Sequence, residues 1–240
     1  MMIDPTARCP KWLISRISSN GGSVSFYKYM DLVLNDPDYG FYSTGRLRIG
    51  KNGDFCTSPS LSDDFARLLS VQVVEWFLNL EKAGTNSKVL SLVEMGPGEG
   101  TLSADLINHI SKISPSLIKK IELVLVEPNR GMKRRQRKVL NKLEGLSFRW
   151  STLEDLALNP VTGVIIANEV FDTFPVERLV FRENKFFRQG VSLFKRNEGF
   201  CLEFVEMKTT CAIDQFLRDA KNILNIDFPP EGLSNGWVTE

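Results

Sequence analysis

The stretch Val93-Glu94-Met95-Gly96-Pro97-Gly98-Glu99-Gly100-Thr101 constrains this chain more than any other. Before it, Lys88-Val89-Leu90-Ser91-Leu92-Val93 is short, apolar and β-branched, the pattern of a buried strand. After it, Leu102, Leu106, Ile110 and Ile113 recur at helical spacing as far as Ser114-Pro115. The order is strand, tight glycine turn, helix. Open α/β sheets bind nucleotide-like ligands at such a place, the carboxyl end of a strand. Glycines at alternate positions remove the Cβ atoms that would hold a ligand off the backbone. A tight turn without a ligand is the alternative reading of the glycines alone. Two acidic strand ends, Glu94 and Glu127, favour a ligand site.

The remaining pattern supplies a sheet around that turn. Ile121–Glu127 reads as a second strand, and Pro128 suits the first turn of a helix over 129–142. Leu146–Trp150 is a short third strand. Gly163–Ala167 is a fourth, continuous and buried in character, and it runs into Asn168-Glu169-Val170-Phe171-Asp172-Thr173-Phe174-Pro175. Upstream, a helix over 8–19 stops at Asn20-Gly21-Gly22, and Ser25 caps a second helix that Asp36-Pro37 ends. A long irregular stretch, Asp36 to Ser60, precedes a strong helix over 63–82 capped by Ser62. Beyond Pro175, the segments 176–181, 185–194 and 200–207 read as an antiparallel meander, and 213–224 as a last helix.

The expected fold is therefore α/β, with a Rossmann-like sheet, an N-terminal helical appendage and an inserted β meander. Residues 1–84 are expected to form the N-terminal helices and loop, packed on a main domain over 85–240 that holds the meander at 176–208.

Charge and composition exclude several functions. A net charge of +1 gives no global attraction for nucleic acid or an anionic membrane. The basic run Arg130, Lys133, Arg134, Arg135, Arg137 and Lys138 then reads as the solvated face of an outer helix. Cys9, Cys56, Cys201 and Cys211 form no Cys-x-x-Cys pair, and His109 is the only histidine, so no zinc site is expected. Reduced thiols in a cytoplasmic setting are the plain reading. No segment reaches the ~20 apolar residues of a membrane span. The amphipathic start is not a signal core, although Arg8, Lys11 and Arg16 in an acid-poor stretch would also suit a short organellar presequence.

Two ligands compete for the turn. A dinucleotide fold wants Gly-x-Gly-x-x-Gly, with a helix terminus on the pyrophosphate. Here Gly96, Gly98 and Gly100 alternate and Glu94 precedes them, which is poor for a pyrophosphate. An acid there suits an ammonium or sulfonium group. S-adenosylmethionine has both, and its carboxylate can use the helix-end N–H groups. Glu127 stands where an acid would accept ribose hydroxyls. These residues favour S-adenosylmethionine over a nicotinamide dinucleotide, whose oxidoreductase chemistry is the less favoured alternative.

Four segments in order carry a more specific likeness: Asp36-Pro-Asp-Tyr-Gly-Phe-Tyr42, Gly53-Asp-Phe-Cys-Thr-Ser-Pro59, the glycine turn with Pro97, and Ala167-Asn-Glu-Val-Phe-Asp-Thr-Phe-Pro-Val176. On these the chain resembles the MidA-type methyltransferases, a class I S-adenosylmethionine-dependent family associated with assembly of respiratory complex I. The resemblance runs from about residue 12 onward. It implies that Gly96, Gly98 and Gly100 cradle the cofactor, that Glu127 holds its ribose, and that Gly53, Asp54 and Phe55 also serve the site. It implies a protein substrate, an arginine of a complex I subunit in mitochondrial members, and hence the mitochondrial matrix in a eukaryote. Members continue well past residue 240, so the C-terminal sheet strands are expected to be missing and Gly163–Ala167 to present an exposed apolar edge.

Methyl transfer needs a nucleophile held in line with the sulfonium carbon. A guanidinium is fully charged near neutral pH and needs help to react. Glu169 and Asp172 are the expected catalytic groups, gripping it and accepting its proton, with Asn168 orienting it. The plainer alternative is that they cap the turn after the strand. A non-catalytic assembly partner that retains the fold is a third function class.

Overall fold

The computed structural model describes residues 9–50, 52–84, 89–143, 145–183, 185–196, 199–224 and 237–239. In chain order the elements are α1 (Lys11–Ser18), β1 (Ser23–Ser25), α2 (Phe26–Asn35), α3 (Ser58–Leu61), α4 (Asp64–Lys82), β2 (Leu90–Met95), α5 (Thr101–Ile113), α6 (Pro115–Ile118), β3 (Ile121–Val126), α7 (Arg130–Leu140), β4 (Ser147–Ser151), α8 (Leu153–Leu158) and β5 (Gly163–Ala167). A single 3₁₀ turn (Phe171–Thr173) leads to β6 (Leu179–Arg182), β7 (Lys185–Arg196), β8 (Gly199–Met207), α9 (Cys211–Leu224) and β9 (Trp237–Thr239). Arg8 of the expected first helix, Lys88 of the expected strand, and Asn184, Asn197 and Glu198 of the expected hairpin turns lie outside the described residues.

The chain divides into two compact units, one of residues 37–173 and one of residues 1–36 with 174–240. The boundary expected at 84/85 falls inside the first of these. From residue 37 on, the loop is part of the sheet-bearing unit, and the first two helices are grouped with the meander.

Residues 37–173 carry a four-stranded parallel sheet in the order β4-β3-β2-β5. Its alternation is the period of two that a pleated strand imposes. Leu90, Leu92, Leu123, Leu125, Val164 and Ile166 enter one core with Val73 and Phe77 of α4, Leu106 and Ile110 of α5, and Leu140 of α7. Val93, Val124 and Val126 face the other way, with Leu156 and Val161 packed against them. Successive strands run outward from β2 to β4 on one side, while β5 pairs on the other. The strand order therefore reverses at β2, and the carboxyl end of β2 is the topological switch point at which such sheets bind ligands.

At the sheet's other margin, β5 pairs only with β2 among the described strands. Ile165, the neighbour of the fully buried Val93 in the ladder, is 64% exposed. With Gly163, Val164, Trp76, Asn79 and Leu80 it lines an apolar groove of about 490 Å³.

In the other unit the meander is longer than expected. β7 takes β8 along one edge, while β6 and β1 both pair with it at different registers, Leu179↔Arg188 and Ser23↔Ser192. Its core joins Leu13 and Ile17 of α1, Val24, Leu32 of α2, and Leu193, Phe200 and Leu202 of the strands. Ser25 caps α2 as expected, accepting from the Lys28 N–H at 3.1 Å. All four cysteines are free, with Cys9 and Cys201 buried. Among the described residues no helix is long and apolar enough to cross a membrane.

Candidate cofactor site

The register fixes the site's rim. Met95 is level with Val126 and with Ala167, so the chain one residue further on places Gly96, Glu127 and Asn168 side by side. Gly96, Gly98 and Gly100 all have positive φ, at 59°, 51° and 85°. Side-chain-bearing residues rarely adopt that conformation, so the turn itself demands glycine. Its tightness comes from the Gly100 N–H, which donates to the Pro97 carbonyl at 2.7 Å. Gly100 then starts α5 with no side-chain cap, leaving first-turn N–H groups for an anionic ligand group.

Glu94 shares the face of Leu90 and Leu92 and is 4% exposed. Its carboxylate accepts from the Ser103 hydroxyl on α5. Burial pushes its pKa up from 4.5 to about 7, with the Ser103 bonds opposing in part. No cation among the described residues pairs with it. A cationic ligand group would reverse that penalty.

Glu127 is 5% exposed and is held at both oxygens. Oε1 accepts from the Asn129 N–H at 2.8 Å, and Oε2 from the Gln136 amide at 3.1 Å. Burial raises its pKa, while those bonds and the Lys133 charge lower it.

The strand end after β5 is strained at one point. Glu169 has φ 52°, unusual for a residue with a side chain, and such strain is concentrated at functional sites. Val170 tucks inward, and a Cβ on Gly96 would meet its methyl group at 3.1 Å. Asn168 is half-buried, and Glu169 and Asp172 are exposed. Asp172 does not cap Thr173: the Thr173 N–H and hydroxyl both donate to the Val170 carbonyl. Tyr42 lies near both this end and Glu127. Burial raises its phenol pKa, and the Asp172 and Glu127 carboxylates add to the effect, so the ring lies in the field of both.

The long loop reaches the turn, but through other residues than expected. Asp54 closes its own loop, accepting from the Arg48 N–H at 2.8 Å, and Gly53 packs on the Arg48 carbonyl where a Cβ would lie at 2.3 Å. Gly53, Asp54 and Phe55 are all exposed. Ile49 lies over the glycine turn instead, its Cδ1 at 2.9 Å from where a Cβ on Gly98 would stand. Arg135 fastens the loop, donating to Glu99 at 2.7 Å and to the Leu47 carbonyl, and Ser43 bonds Asn129 at 3.0 Å.

Ser103, Ile49, Glu99, Arg135 and Gln136 were thus missed by sequence reasoning. The signal available for Gln136 was an uncharged polar residue on the apolar side of a basic helix. The basic face of α7 is not wholly solvated, since Arg135 holds the loop and Arg137 lies 4.9 Å from the Trp150 ring centre.

The rim thus offers a helix terminus for a carboxylate, a buried acid for a cation and a locked acid for hydroxyls, which together match S-adenosylmethionine. Comparisons with known proteins agree. Residues 68–240 match the family model described as S-adenosyl-L-methionine-dependent methyltransferase. The mitochondrial protein arginine methyltransferase NDUFAF7 of Danio rerio is 28% identical over 222 residues, covering 84% of this chain and 51% of the relative. The Drosophila melanogaster homolog is 30% identical over 194 residues, 73% of this chain and 42% of the relative. A crystal structure of a Burkholderia thailandensis protein bound to S-adenosyl-homocysteine superposes with a TM-score of 0.72 at 28% identity, covering 95% of this chain and 54% of that one. The chain spans about half the length of the curated relatives it matches. On these grounds it belongs to the MidA-type family of S-adenosylmethionine-dependent methyltransferases.

Proposed function

We propose that the chain binds S-adenosylmethionine on the β2–α5 turn and transfers its methyl group to an arginine side chain of a protein. The observation that carries the cofactor reading is Glu94, a buried carboxylate with no cationic partner among the described residues, beside a glycine turn and an uncapped helix start. The arginine reading is supported by relatives named protein arginine methyltransferase, and by two exposed carboxylates at the rim. In this reading the helix terminus takes the cofactor's carboxylate, Glu94 its cationic end and Glu127 its ribose hydroxyls. Gly53, Asp54 and Phe55 serve the site by shaping the loop that sets Ile49 over the turn. Glu169 and Asp172 grip the guanidinium through paired hydrogen bonds, and Asn168 orients it. A guanidinium nitrogen attacks the sulfonium methyl carbon, the carbon–sulfur bond breaks, and the nitrogen's proton passes to a carboxylate. The strained backbone of Glu169 supports its role. A subunit of respiratory complex I is the proposed substrate. The compartment proposed is the mitochondrial matrix in a eukaryote, a reading supported by relatives named mitochondrial, and the cytoplasm otherwise.

A second reading is a non-catalytic assembly protein that retains the cofactor fold. Calorimetric titration with S-adenosylmethionine, S-adenosylhomocysteine and a nicotinamide dinucleotide, followed by methyl transfer to arginine-containing protein, separates the two. Binding without transfer would favour the assembly reading. Binding of the dinucleotide alone would sink both. Glu169→Gln is expected to keep cofactor affinity and abolish transfer; unchanged turnover would remove Glu169 from the mechanism.

A further inference from the structure

Gln136 is fully buried on α7, a helix otherwise rich in arginine and lysine. Every polar atom of its side chain is used. Nε2 donates to the Gly98 carbonyl at 2.9 Å and to Glu127 Oε2 at 3.1 Å. Oε1 accepts from the Trp150 indole N–H at 2.7 Å. Its Cα packs where a Cβ on Gly100 would lie at 3.4 Å.

A buried amide adds little to stability that an apolar residue of equal size would not, and it is costly when unsatisfied. The Trp150 indole needs only an acceptor. The two donor bonds run elsewhere, to the two loops that carry the ligand-facing groups: the β2–α5 turn and the end of β3. With the Asn129 N–H on Oε1, the Gln136 amide on Oε2 fixes the plane of the Glu127 carboxylate. Each oxygen then retains a further lone pair for a hydroxyl. The same amide nitrogen ties that plane to Gly98, the centre of the turn.

We propose that Gln136 is the positioning residue of the cofactor site, locking the ribose-binding carboxylate of Glu127 to the glycine turn so that both grip one ligand in register. This rests on the S-adenosylmethionine reading of the site. Gln136 acts through Glu127 and Gly98 and touches no reacting atom. Among the described residues, the other charged or titratable groups facing Glu127 are Lys133 on the same helix as Gln136 and Tyr42 from the loop.

Titration of S-adenosylhomocysteine into the 240-residue chain tests this. Gln136→Met preserves bulk and removes both donors. Its affinity is expected to fall roughly 10- to 100-fold, the range for a lost hydrogen bond to a charged group. Glu127 accepts hydroxyls as a carboxylate, so affinity falls as it protonates. Without the Gln136 donor the acid limb of the binding profile is expected to move to higher pH. With Glu127→Gln already in place, Gln136→Met is expected to add little. Leu140→Val, one turn along α7 in the apolar core, controls for packing and is expected to lower Tm without changing Kd. A Gln136→Met protein that binds like the unaltered one would overturn the proposal. So would a loss of affinity that leaves the pH profile in place and adds fully to that of Glu127→Gln, because that is the signature of packing alone. If the unaltered chain binds no S-adenosylhomocysteine, the cofactor reading falls first and this inference with it.

Discussion

Replacing Glu94 by glutamine should stabilise the ligand-free protein, and increasingly so as pH rises. The Glu94 carboxyl titrates at about 7 in place of 4.5 because it is buried. At about 1.4 kcal/mol per pH unit, the fold prefers the neutral acid by about 3 kcal/mol. The native pKa is the higher one, so this preference is in full force below the unfolded value of 4.5 and is lost as pH rises through about 7. Near pH 5 the native protein has lost only about 1 kcal/mol of it, and near pH 8 about 3 kcal/mol. Glutamine cannot ionise, and its amide oxygen can still accept from Ser103. The advantage of Glu94→Gln should therefore grow by about 2 kcal/mol between about pH 5 and about pH 8. Urea denaturation of both proteins at the two pH values, without ligand, measures it. Parallel stability–pH curves would refute the reasoning, because they would mean that Glu94 is hydrated or paired in the folded chain.

Two further substitutions test the local geometry. Gly98→Ala places a Cβ at φ 51° and within 2.9 Å of Ile49 Cδ1, so it should destabilise by roughly 1–2 kcal/mol and weaken S-adenosylhomocysteine binding. Adding Ile49→Ala should restore the steric part; no recovery in thermal unfolding would place the whole effect in the backbone. Ile165→Lys, on the open strand, should change stability by no more than about 0.5 kcal/mol and reduce self-association at high concentration. Identical sedimentation profiles for the two proteins would show that this edge does not drive association.

The sheet and its turn were legible because each signal was local. Leu90–Met95 and Ile121–Val126 are apolar runs that hydrophobicity alone identifies, and the glycine alternation between β2 and α5 marks a backbone that only glycine adopts readily. Other features depended on distant partners. Ser23–Ser25 is too short and polar to announce a strand and exists because β7 offers it an edge. The strand expected from Val176 starts at Leu179, where pairing with Arg188 begins. Gln136 could be placed on a helix face, but not recognised as a bridge between Gly98, Glu127 and Trp150, since its three partners are separated in sequence. The resemblance implies a role for Gly53, Asp54 and Phe55, yet the residue over the turn is Ile49, while Asp54 is committed to Arg48.

The discontinuous unit imposes an order on folding. Ser23 and Ser192 meet side chain to side chain across 169 positions of sequence, with residues 37–173 entirely between them. Closing so long a loop from a random chain is entropically unfavourable before any contact offsets it, and long-range pairing of this kind is slow. The described core of the sheet in residues 37–173 is built wholly of residues from that span. Once formed, it replaces a fluctuating chain by a folded segment, which lowers the loop-closure cost left to β1 and β7. The expected order is thus the cofactor turn first and the meander that joins both flanks afterwards.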